Sequence, residues 1–294
     1  MRAGFYDLHI HSNYSSDADH PPRRLFEMAC EAGLAGLCIS DHDTVAAIAE
    51  GTRLAREFPL EFYPNVEIST HYLARKFHVL APLVDYRSVE LRSRLQGLAE
   101  GRRQQAKARV ERLRASGFEI TFEEVIGATR NPIPTGPAIA QALLAKPESR
   151  ESPRLRRYLH GKEAARGVIA FYRDFFAQGK PAFAEMERLC TLEALQLIRR
   201  AGGVPVLAHP GAPGYEADET VLETFVAHGL GGLEVHSSYH DPQSTRRFSD
   251  WAARWELVKT AGSDFHGRVK PHVRIGSVKA RGREMIEELM DRRD

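Results

Sequence analysis

Two histidines one residue apart, His9 and His11, are the first residues along the chain whose types and spacing suggest chemistry. In an extended strand, residues i and i+2 project to the same side, so both imidazoles could bind one metal ion. A lone His-x-His pair also arises often by chance. Asp7, just ahead of the pair, is a candidate for orienting one of the two imidazoles through a hydrogen bond.

Polar residues follow two further apolar runs. Asp41, His42 and Asp43 come directly after LCIS, and Glu67 follows EFYPNV. Burying such groups is costly unless they are hydrogen-bonded or bound to metal, although Asp43 or Thr44 could also cap a helix that begins there. Glu67 is the strongest candidate for a bridge, because a carboxylate has two oxygens that can bind two cations.

Four more candidates lie further along the chain. His78 lies within KFHVLAP, where a buried histidine satisfied by hydrogen bonds is the competing interpretation. His209 stops the run VPVLA, and Asp264 and His266 occupy alternate positions after LVKTA. A donor set of histidine and carboxylate without cysteine favours Mn²⁺, Zn²⁺ or Fe²⁺ over a thiolate zinc site, and it suits hydrolysis rather than redox chemistry.

Short strands alternating with helices must position these residues. Tyr6 to Ile10 is a predicted strand, Pro21 and Pro22 open a helix that Gly33 ends, and Thr44 begins a helix after the strand GLCIS. Further strands are predicted in EFYPNVE, FHVLAP, VPVLA, GGLEV and LVKTA. In a parallel α/β barrel the carboxyl ends of the strands meet on one face, so residues distant in sequence would share one pocket.

The middle of the chain has a helical pattern instead of alternating strands and helices. Residues 85–116 form a long, arginine-rich helical stretch, and residues 120–182 stay mainly helical apart from the turn NPIPTGP. Neither end of the chain has enough strands to close a sheet on its own. The pattern therefore predicts one discontinuous α/β barrel, residues 1–84 with 185–294, carrying a helical insertion subdomain at residues 85–184.

Composition narrows the possible partners. The chain has 294 residues with a net charge of +2, which is not the footprint of a duplex-binding protein but allows a small anionic substrate. The three cysteines are scattered and do not resemble a disulfide framework, and Cys30 and Cys38, in apolar patterns, are predicted to be buried free thiols. No apolar run is long enough to span a bilayer and the N-terminus has no signal core, so a cytoplasmic location without a membrane partner is expected. The oligomeric state stays open.

With these residues assembled, the chain resembles the polymerase-and-histidinol-phosphatase (PHP) family of metal-dependent phosphoesterases. The matching stretches, in the family's order, are YDLHIHS, CISDHD, NVEIS, FHVLAP, VLAHPG, GLEV and GSDFHG. The resemblance implies a distorted (β/α)7 barrel with two or three divalent metal ions. By position it assigns three sites: His9, His11, Glu67 and Asp264 at the first; Glu67, His78 and His209 at the second; Asp17, His42 and His266 at the third.

Asp17 enters through the resemblance alone, because SSDAD otherwise reads as a turn. The family often has histidine there, so the third site is the least secure. Chain length and insertion are most similar to the branch that acts on nucleotides, which includes 3′,5′-bisphosphonucleotide phosphatases and enzymes that trim RNA from its 5′ end. That branch carries an Arg-x-His-x-Ala pattern in the insertion, and this chain has Gly136 and Ala138 in those places.

The missing arginine and histidine require replacements, and Arg130, Lys180 and His240 are the predicted substrate-binding residues. The resemblance implies that a metal-activated water attacks a small phosphorylated substrate, and a nucleotide is the leading candidate. Glu67, Asp264 and His266 are the predicted catalytic residues; either Asp264 or His266 would pass a proton to the leaving oxygen.

Three alternatives stay open. The first is a 5′-to-3′ exonuclease acting on short single-stranded nucleic acid ends. The second is an amidohydrolase-type C–N hydrolase, whose usual carboxylated-lysine bridge has no obvious candidate here. The third is a non-catalytic, metal-binding PHP module, against which the near-complete set of ligands argues.

Overall fold

The computed structural model describes residues 4–129, 133–160, 164–186 and 188–293. The chain divides into two compact units, Met1–Gln96 with Arg188–Asp294, and Gly97–Glu187. The boundaries predicted at residues 84 and 185 fall near this division, and their assignment as domain boundaries stays a prediction. No described helix is both long enough and apolar enough to cross a membrane.

The strands all lie in the first unit and form two sheets among the described residues. They are β1 (Tyr6–Ile10), β2 (Gly36–Ile39), β3 (Glu61–Phe62), β4 (Glu67–Tyr72), β5 (Arg75–Leu80), β6 (Leu189–Cys190), β7 (Val206–Leu207), β8 (Gly232–Ser237) and β9 (Val258–Gly262). One sheet has the order β1-β2-β3 and the other β6-β4-β5-β7-β8-β9. All strand pairs are parallel except those of β5, which runs antiparallel to β4 and β7.

Helices occupy most of the longer connections between strands, and the described elements of the second unit are helical. They are α1 (Pro22–Glu31), α2 (Ile48–Leu54), α3 (Val89–Ala115), α4 (Phe122–Thr129), α5 (Gly136–Ala145), α6 (Arg156–Leu159), α7 (Gly167–Phe175), α8 (Thr191–Arg200), α9 (Glu219–Ala227), α10 (Pro242–Arg254) and α11 (Arg283–Met290). Short 3-10 turns occur at Pro147–Arg150, Ala164–Arg166 and Gly267–Val269.

The start of the chain folds as its sequence predicts. Pro22 occupies the first turn of α1, where its missing N–H costs no hydrogen bond, and Gly33 adopts a φ of 72° just after the helix. Leu25 and Phe26 on α1 are completely buried, as are all residues of β1 and β2. Strands covered on both faces are typical of parallel α/β sheets.

The two sheets approach each other at the residues predicted to do chemistry. Beyond β1, the His11 amide donates to the Phe265 carbonyl at 2.9 Å, and the Asp264 amide donates to the His9 carbonyl at 2.8 Å. Beyond β2, the Asp43 amide donates to the Glu67 carbonyl at 2.9 Å. Among the described residues these isolated bridges do not merge the ladders into one closed sheet. The α/β class is confirmed, and the closed seven-stranded barrel stays a prediction.

Several predicted element boundaries are wrong. The helix after β2 begins at Ile48 rather than Thr44. EFYPNVE is not one strand: β3 ends at Phe62, and Glu67 begins β4 instead of ending a strand. The break lies at Pro64 and Asn65, where the buried Asn65 side chain donates to the Leu8 carbonyl and accepts from the Ala81 amide, both at 2.9 Å.

The described elements of the second unit are helical, and they share a buried apolar core that includes Leu113, Ile139, Leu143 and Phe171. Gly136 begins α5, where the Thr135 hydroxyl caps the helix by accepting from the Ala138 amide. A Cβ at position 136 would lie 2.6 Å from the Tyr172 ring. Close packing against Tyr172 therefore explains the glycine at this position.

Candidate metal centre

Four buried side chains meet where the first strand, the start of β4 and the segment after β9 come together. The Nε2 atom of His9 lies 3.1 Å from Glu67 Oε2 and 3.3 Å from Asp264 Oδ1. The Nε2 atom of His11 lies 3.1 Å and 3.2 Å from the same two oxygens. Two imidazole nitrogens and two carboxylate oxygens therefore surround one point, in a geometry that could hold a metal ion.

Glu67 also reaches a second group of histidines. Its Oε1 atom lies 2.8 Å from His78 Nδ1 and 3.0 Å from His209 Nε2, and its Oε2 atom lies 3.1 Å from His42 Nδ1. His42, Glu67 and His78 form a second arrangement that could hold a cation. One completely buried carboxylate thus lies between both groups.

A third group is more open to solvent. Asp17 Oδ2 lies 3.5 Å from His42 Nε2 and 3.6 Å from His266 Nε2, and His11 completes the arrangement. The Asp17 side chain is 34% exposed, whereas His266 is buried. The structure therefore brings all nine predicted ligands into one cluster, and Asp17 forms its outer edge.

The hydrogen bonding of the cluster tests whether it fits metal ions. Among the described residues, seven of its buried side-chain atoms have no hydrogen-bond partner. They are His9 Nε2, His11 Nε2, Asp17 Oδ1, His42 Nδ1, Glu67 Oε2, His78 Nδ1 and His209 Nδ1. Buried polar atoms are normally satisfied. All seven except Asp17 Oδ1 and His209 Nδ1 lie within 3.1 Å of another atom of the cluster. Such converging nitrogen and oxygen lone pairs fit divalent cations.

Glu234, on β8, forms hydrogen bonds with two of these histidines on the side away from Glu67. Its Oε1 atom lies 2.9 Å from His9 Nδ1, and its Oε2 atom accepts a hydrogen bond from the His209 amide at 2.7 Å. Gly262 provides the space for this contact, because a Cβ there would lie 2.2 Å from His9 Cβ and 2.5 Å from Glu234 Oε1. Glu234 therefore holds His9 with Nε2 turned towards Glu67 and Asp264.

The orienting role predicted for Asp7 is wrong. Its carboxylate accepts from the backbone amides of Ser263 and Gly276, both at 2.9 Å, and from the His9 amide at 3.3 Å. Burial raises the pKa of Asp7, while these amide contacts oppose the rise. Asp7 anchors the backbone of β1 beside the end of β9, and Glu234 orients the imidazole instead.

The triplet after β2 has three different roles. Asp41 is buried and accepts from the amide and the hydroxyl of Ser12, both at 2.6 Å, and burial raises its pKa to about 6. Asp43 has a φ of 51° and accepts from the Ser69 amide at 2.9 Å, so it joins the loop to β4 and does not cap a helix. Among these three residues, only His42 faces the cluster.

Asp264 uses its two oxygens in different directions. Its Oδ1 atom faces His9 and His11, and its Oδ2 atom accepts from the Tyr239 hydroxyl at 2.8 Å and from Lys270 Nζ at 2.6 Å. Burial alone would lower the pKa of Lys270, but the charge of Asp264 and the contact with Tyr239 hold it above its usual value. Asp264 has a φ of 57° and His209 a φ of 27°, strained backbone conformations that often occur at functional sites.

The three predicted substrate-binding residues have different outcomes. His240 donates from Nδ1 to the Val235 carbonyl at 2.9 Å and accepts at Nε2 from the Gly211 amide at 3.1 Å, so it joins β8 to the turn after His209. These bonds do not favour a substrate contact by His240. Lys180 is exposed in the second unit, and its role stays a prediction. Arg130 lies outside the described residues.

Sequence reasoning missed Glu234, Tyr239 and Lys270. An acid inside the apolar run GGLEV was a usable signal, because such a carboxylate needs a buried partner. Tyr239 and Lys270 had no such signal, since their contacts with Asp264 depend on how two loops fold together.

Replacing Glu234 with glutamine is expected to weaken manganese binding by roughly 10–100-fold. Glutamine has one oxygen and one NH₂ group, so it can accept from His9 Nδ1 or from the His209 amide but not from both. Isothermal titration of the metal-free protein with Mn²⁺ measures the change, with the exposed Glu223→Gln as the matched control. Equal affinities in the two variants would show that Glu234 does not organise the ligands.

Comparison with known proteins places this centre in a family. A profile of the PHP domain matches residues 7–181. The 3′,5′-nucleoside bisphosphate phosphatase of Chromobacterium violaceum is 28% identical over 264 residues, covering 88% of this chain and 86% of that protein. A 5′-3′ exoribonuclease of Haemophilus influenzae is 30% identical over 266 residues, covering 89% of each protein.

A solved structure agrees with these relatives. A protein from Bifidobacterium adolescentis, described as a candidate metal-dependent phosphoesterase, matches with a TM-score of 0.80 and 30% identity, over 100% of this chain and 98% of that one. The profile spans more than half of the sequence, and the relatives match along most of their length. The chain therefore belongs to the PHP domain family, which confirms the resemblance inferred from its motifs.

Proposed function

We propose that this protein is a metal-dependent phosphoesterase that hydrolyses a phosphate monoester of a nucleotide or a related small phosphorylated metabolite. The observation that carries the proposal is Glu67, whose two oxygens lie within 3.1 Å of five histidine nitrogens in a fully buried position. Burial alone would raise the pKa of Glu67, but the neighbouring histidines hold it well below its usual value. An ionised, shared carboxylate of this kind supports two adjacent cations.

The three donor groups support two or three divalent ions, with Mn²⁺, Zn²⁺ or Fe²⁺ as the candidates. When bound, such ions lower the pKa of a water molecule towards neutrality and neutralise charge on a phosphoryl group. The backbone bridges beyond β1 and β2 support a distorted seven-stranded barrel, in which the ligands would share one rim.

The chain's own residues hold the reacting groups in place. His266 Nδ1 lies 2.9 Å from the Asp264 carbonyl, which is an acceptor, so Nδ1 carries the proton and Nε2 presents a lone pair towards Asp17. This tautomer suits a ligand better than a proton donor. Asp264 holds its Oδ1 atom towards His9 and His11 while Tyr239 and Lys270 fix Oδ2.

Release of inorganic phosphate from adenosine 3′,5′-bisphosphate by the manganese-loaded protein tests the proposal. We expect release that depends on Mn²⁺ and stops when a chelator is added. Absence of phosphate release from this substrate and from a panel of nucleoside and sugar phosphates would refute the proposal.

A second candidate is a 5′-to-3′ exonuclease, which the exoribonuclease relative favours. Shortening of a 5′-monophosphorylated oligonucleotide, measured beside the bisphosphate reaction, separates the two activities. A comparable rate on the oligonucleotide would favour the nuclease. The amidohydrolase alternative is weaker, because Glu67 is the best candidate for the bridge, and Lys270 contacts Asp264 Oδ2 and the Tyr239 hydroxyl instead of taking that place. The non-catalytic alternative is weaker because all nine predicted ligands have a nitrogen or oxygen side chain, although Asp17 stands where the family often has histidine.

A further inference from the structure

A lysine lies at the edge of the metal centre, although the sequence analysis did not select it. Lys270 follows His266 by four residues, just after the 3-10 turn Gly267–Val269. Its Nζ atom lies 2.6 Å from Asp264 Oδ2 and 2.7 Å from the Tyr239 hydroxyl. Among the described residues, it is the only lysine or arginine whose nitrogen contacts a carboxylate of the cluster.

The donors of Lys270 are not all used by the protein. An ammonium group has three N–H donors, and Lys270 gives one to Asp264 and one to Tyr239. Within the part of the chain that the structure describes, the third donor has no recorded protein acceptor. The side chain is 27% exposed, so the head group is held between the buried carboxylate and the solvent.

Two tyrosines surround the same side of the cluster. The Tyr239 ring packs edge-on against His209, with 5.6 Å between ring centroids. The Tyr215 ring packs against His78 at 4.4 Å and against His209 at 5.3 Å. This side of the centre therefore has aromatic walls, and its positive charge comes from Lys270.

A phosphate monoester is a dianion at neutral pH, and it is bound best by cations held in fixed positions. Asp264 Oδ1 faces His9 and His11 while Oδ2 fixes Lys270, so a single carboxylate separates the ammonium group from the first ligand group. A phosphoryl group at the metal centre would therefore lie beside an oriented N–H donor.

We propose that Lys270 is a substrate-binding residue that donates its third N–H to a non-bridging oxygen of the phosphoryl group, with Tyr239 fixing the direction of the ammonium. The inference rests on the proposed function. It names Lys270, in the first unit of the chain, as the residue that binds the phosphoryl group. It assigns to Lys270 the role that the sequence analysis predicted for Arg130 and Lys180. A purely positioning role would instead make Lys270 a support for Asp264, and metal binding would then depend on it.

The experiment compares Lys270→Met, Lys270→Arg and Tyr239→Phe in the full-length, manganese-loaded protein, with the exposed Lys279→Met as the control. Three quantities are measured: bound manganese by elemental analysis, the dissociation constant of inorganic phosphate by calorimetry, and KM and kcat for phosphate release. Lys270→Met is expected to weaken phosphate binding and raise KM by at least about tenfold with unchanged manganese, because a hydrogen bond to a charged group is lost. Lys270→Arg should keep most of the affinity, and Tyr239→Phe should lose part of it.

Unchanged phosphate affinity in manganese-loaded Lys270→Met would overturn the inference, as would a loss of manganese that accounts for the whole effect. If Lys270→Met fails to fold, Lys270→Arg decides the question. A phosphate affinity in Lys270→Arg as weak as that of the manganese-depleted wild type would show a positioning role. The proposed function is judged separately by phosphate release from the wild type. A wild type that binds phosphate without hydrolysing any ester would refute the function and leave the variants to decide the role of Lys270.

Discussion

Manganese-dependent phosphate release is expected to fall by at least about 10³-fold in the Glu67→Gln variant. The change replaces one of the two carboxylate oxygens that would bind the metal ions. The amide that replaces one oxygen of Glu67 is a donor without a lone pair for a cation. Whichever way it turns, the NH₂ group faces histidine nitrogens, either His78 and His209 or His9, His11 and His42. At least one of the two adjacent ligand groups therefore loses its carboxylate.

The measurement is the initial rate of phosphate release at saturating Mn²⁺, together with the manganese content of the purified protein. Glu223→Gln, an exposed substitution of the same kind on α9, is the matched control and should behave like the wild type. If Glu67→Gln kept more than about a tenth of the wild-type rate, Glu67 would not be the bridge.

Most of the clustered residues were predictable from sequence because their positions depend mainly on short-range rules, whereas Asp17 came from the family resemblance alone. His9 and His11 are two residues apart on a buried strand, and strand geometry alone directs both to the same side. His42, Asp264 and His266 follow apolar strands that pair in parallel with a neighbour, and the ends of such strands lie together in this class of fold.

The direction of β5 could not be predicted, for a reason visible in its turn. A two-residue hairpin with positive φ at both central positions is normally marked by Asn-Gly or a similar pair. Here Leu73 and Ala74 occupy those positions with φ values of 47° and 62°. Without a turn signal, the sequence predicts separate strands in EFYPNVE and FHVLAP within a parallel barrel, whereas Glu67–Tyr72 and Arg75–Leu80 form an antiparallel pair.

The supporting residues were missed because their partners are distant in sequence. Glu234 contacts His9 across 225 residues. Lys270 and Tyr239 are 31 residues apart and meet only because Asp264 places an oxygen between their two loops. Short-range patterns identify residues that can bind metal, whereas the hydrogen bonds that orient them depend on the tertiary fold.

Removal of divalent metal ions should lower the melting temperature as well as the activity. Among the described residues, five buried atoms that converge in the cluster have no hydrogen-bond partner, so bound ions would compensate a cost that the metal-free protein keeps. An ion present at 100 times its dissociation constant stabilises the folded state by about 2.7 kcal/mol. For a chain of 294 residues that corresponds to roughly 4 °C. Scanning calorimetry with Mn²⁺, with chelator, and after Mn²⁺ is restored measures the shift.

The size of that shift should increase with pH. Burial alone would lower the pKa of His11, but the carboxylates of Asp264 and Glu67 raise it to about 9 in the metal-free protein, above the usual 6.5. A raised histidine pKa contributes stability that is present below pH 6.5 and is lost as the pH rises through 9. Metal binding has the opposite dependence, because it requires neutral imidazole. The difference in melting temperature between manganese-loaded and chelated protein should therefore be larger at pH 8.5 than at pH 6.5, and a smaller difference at pH 8.5 would contradict this account of the cluster.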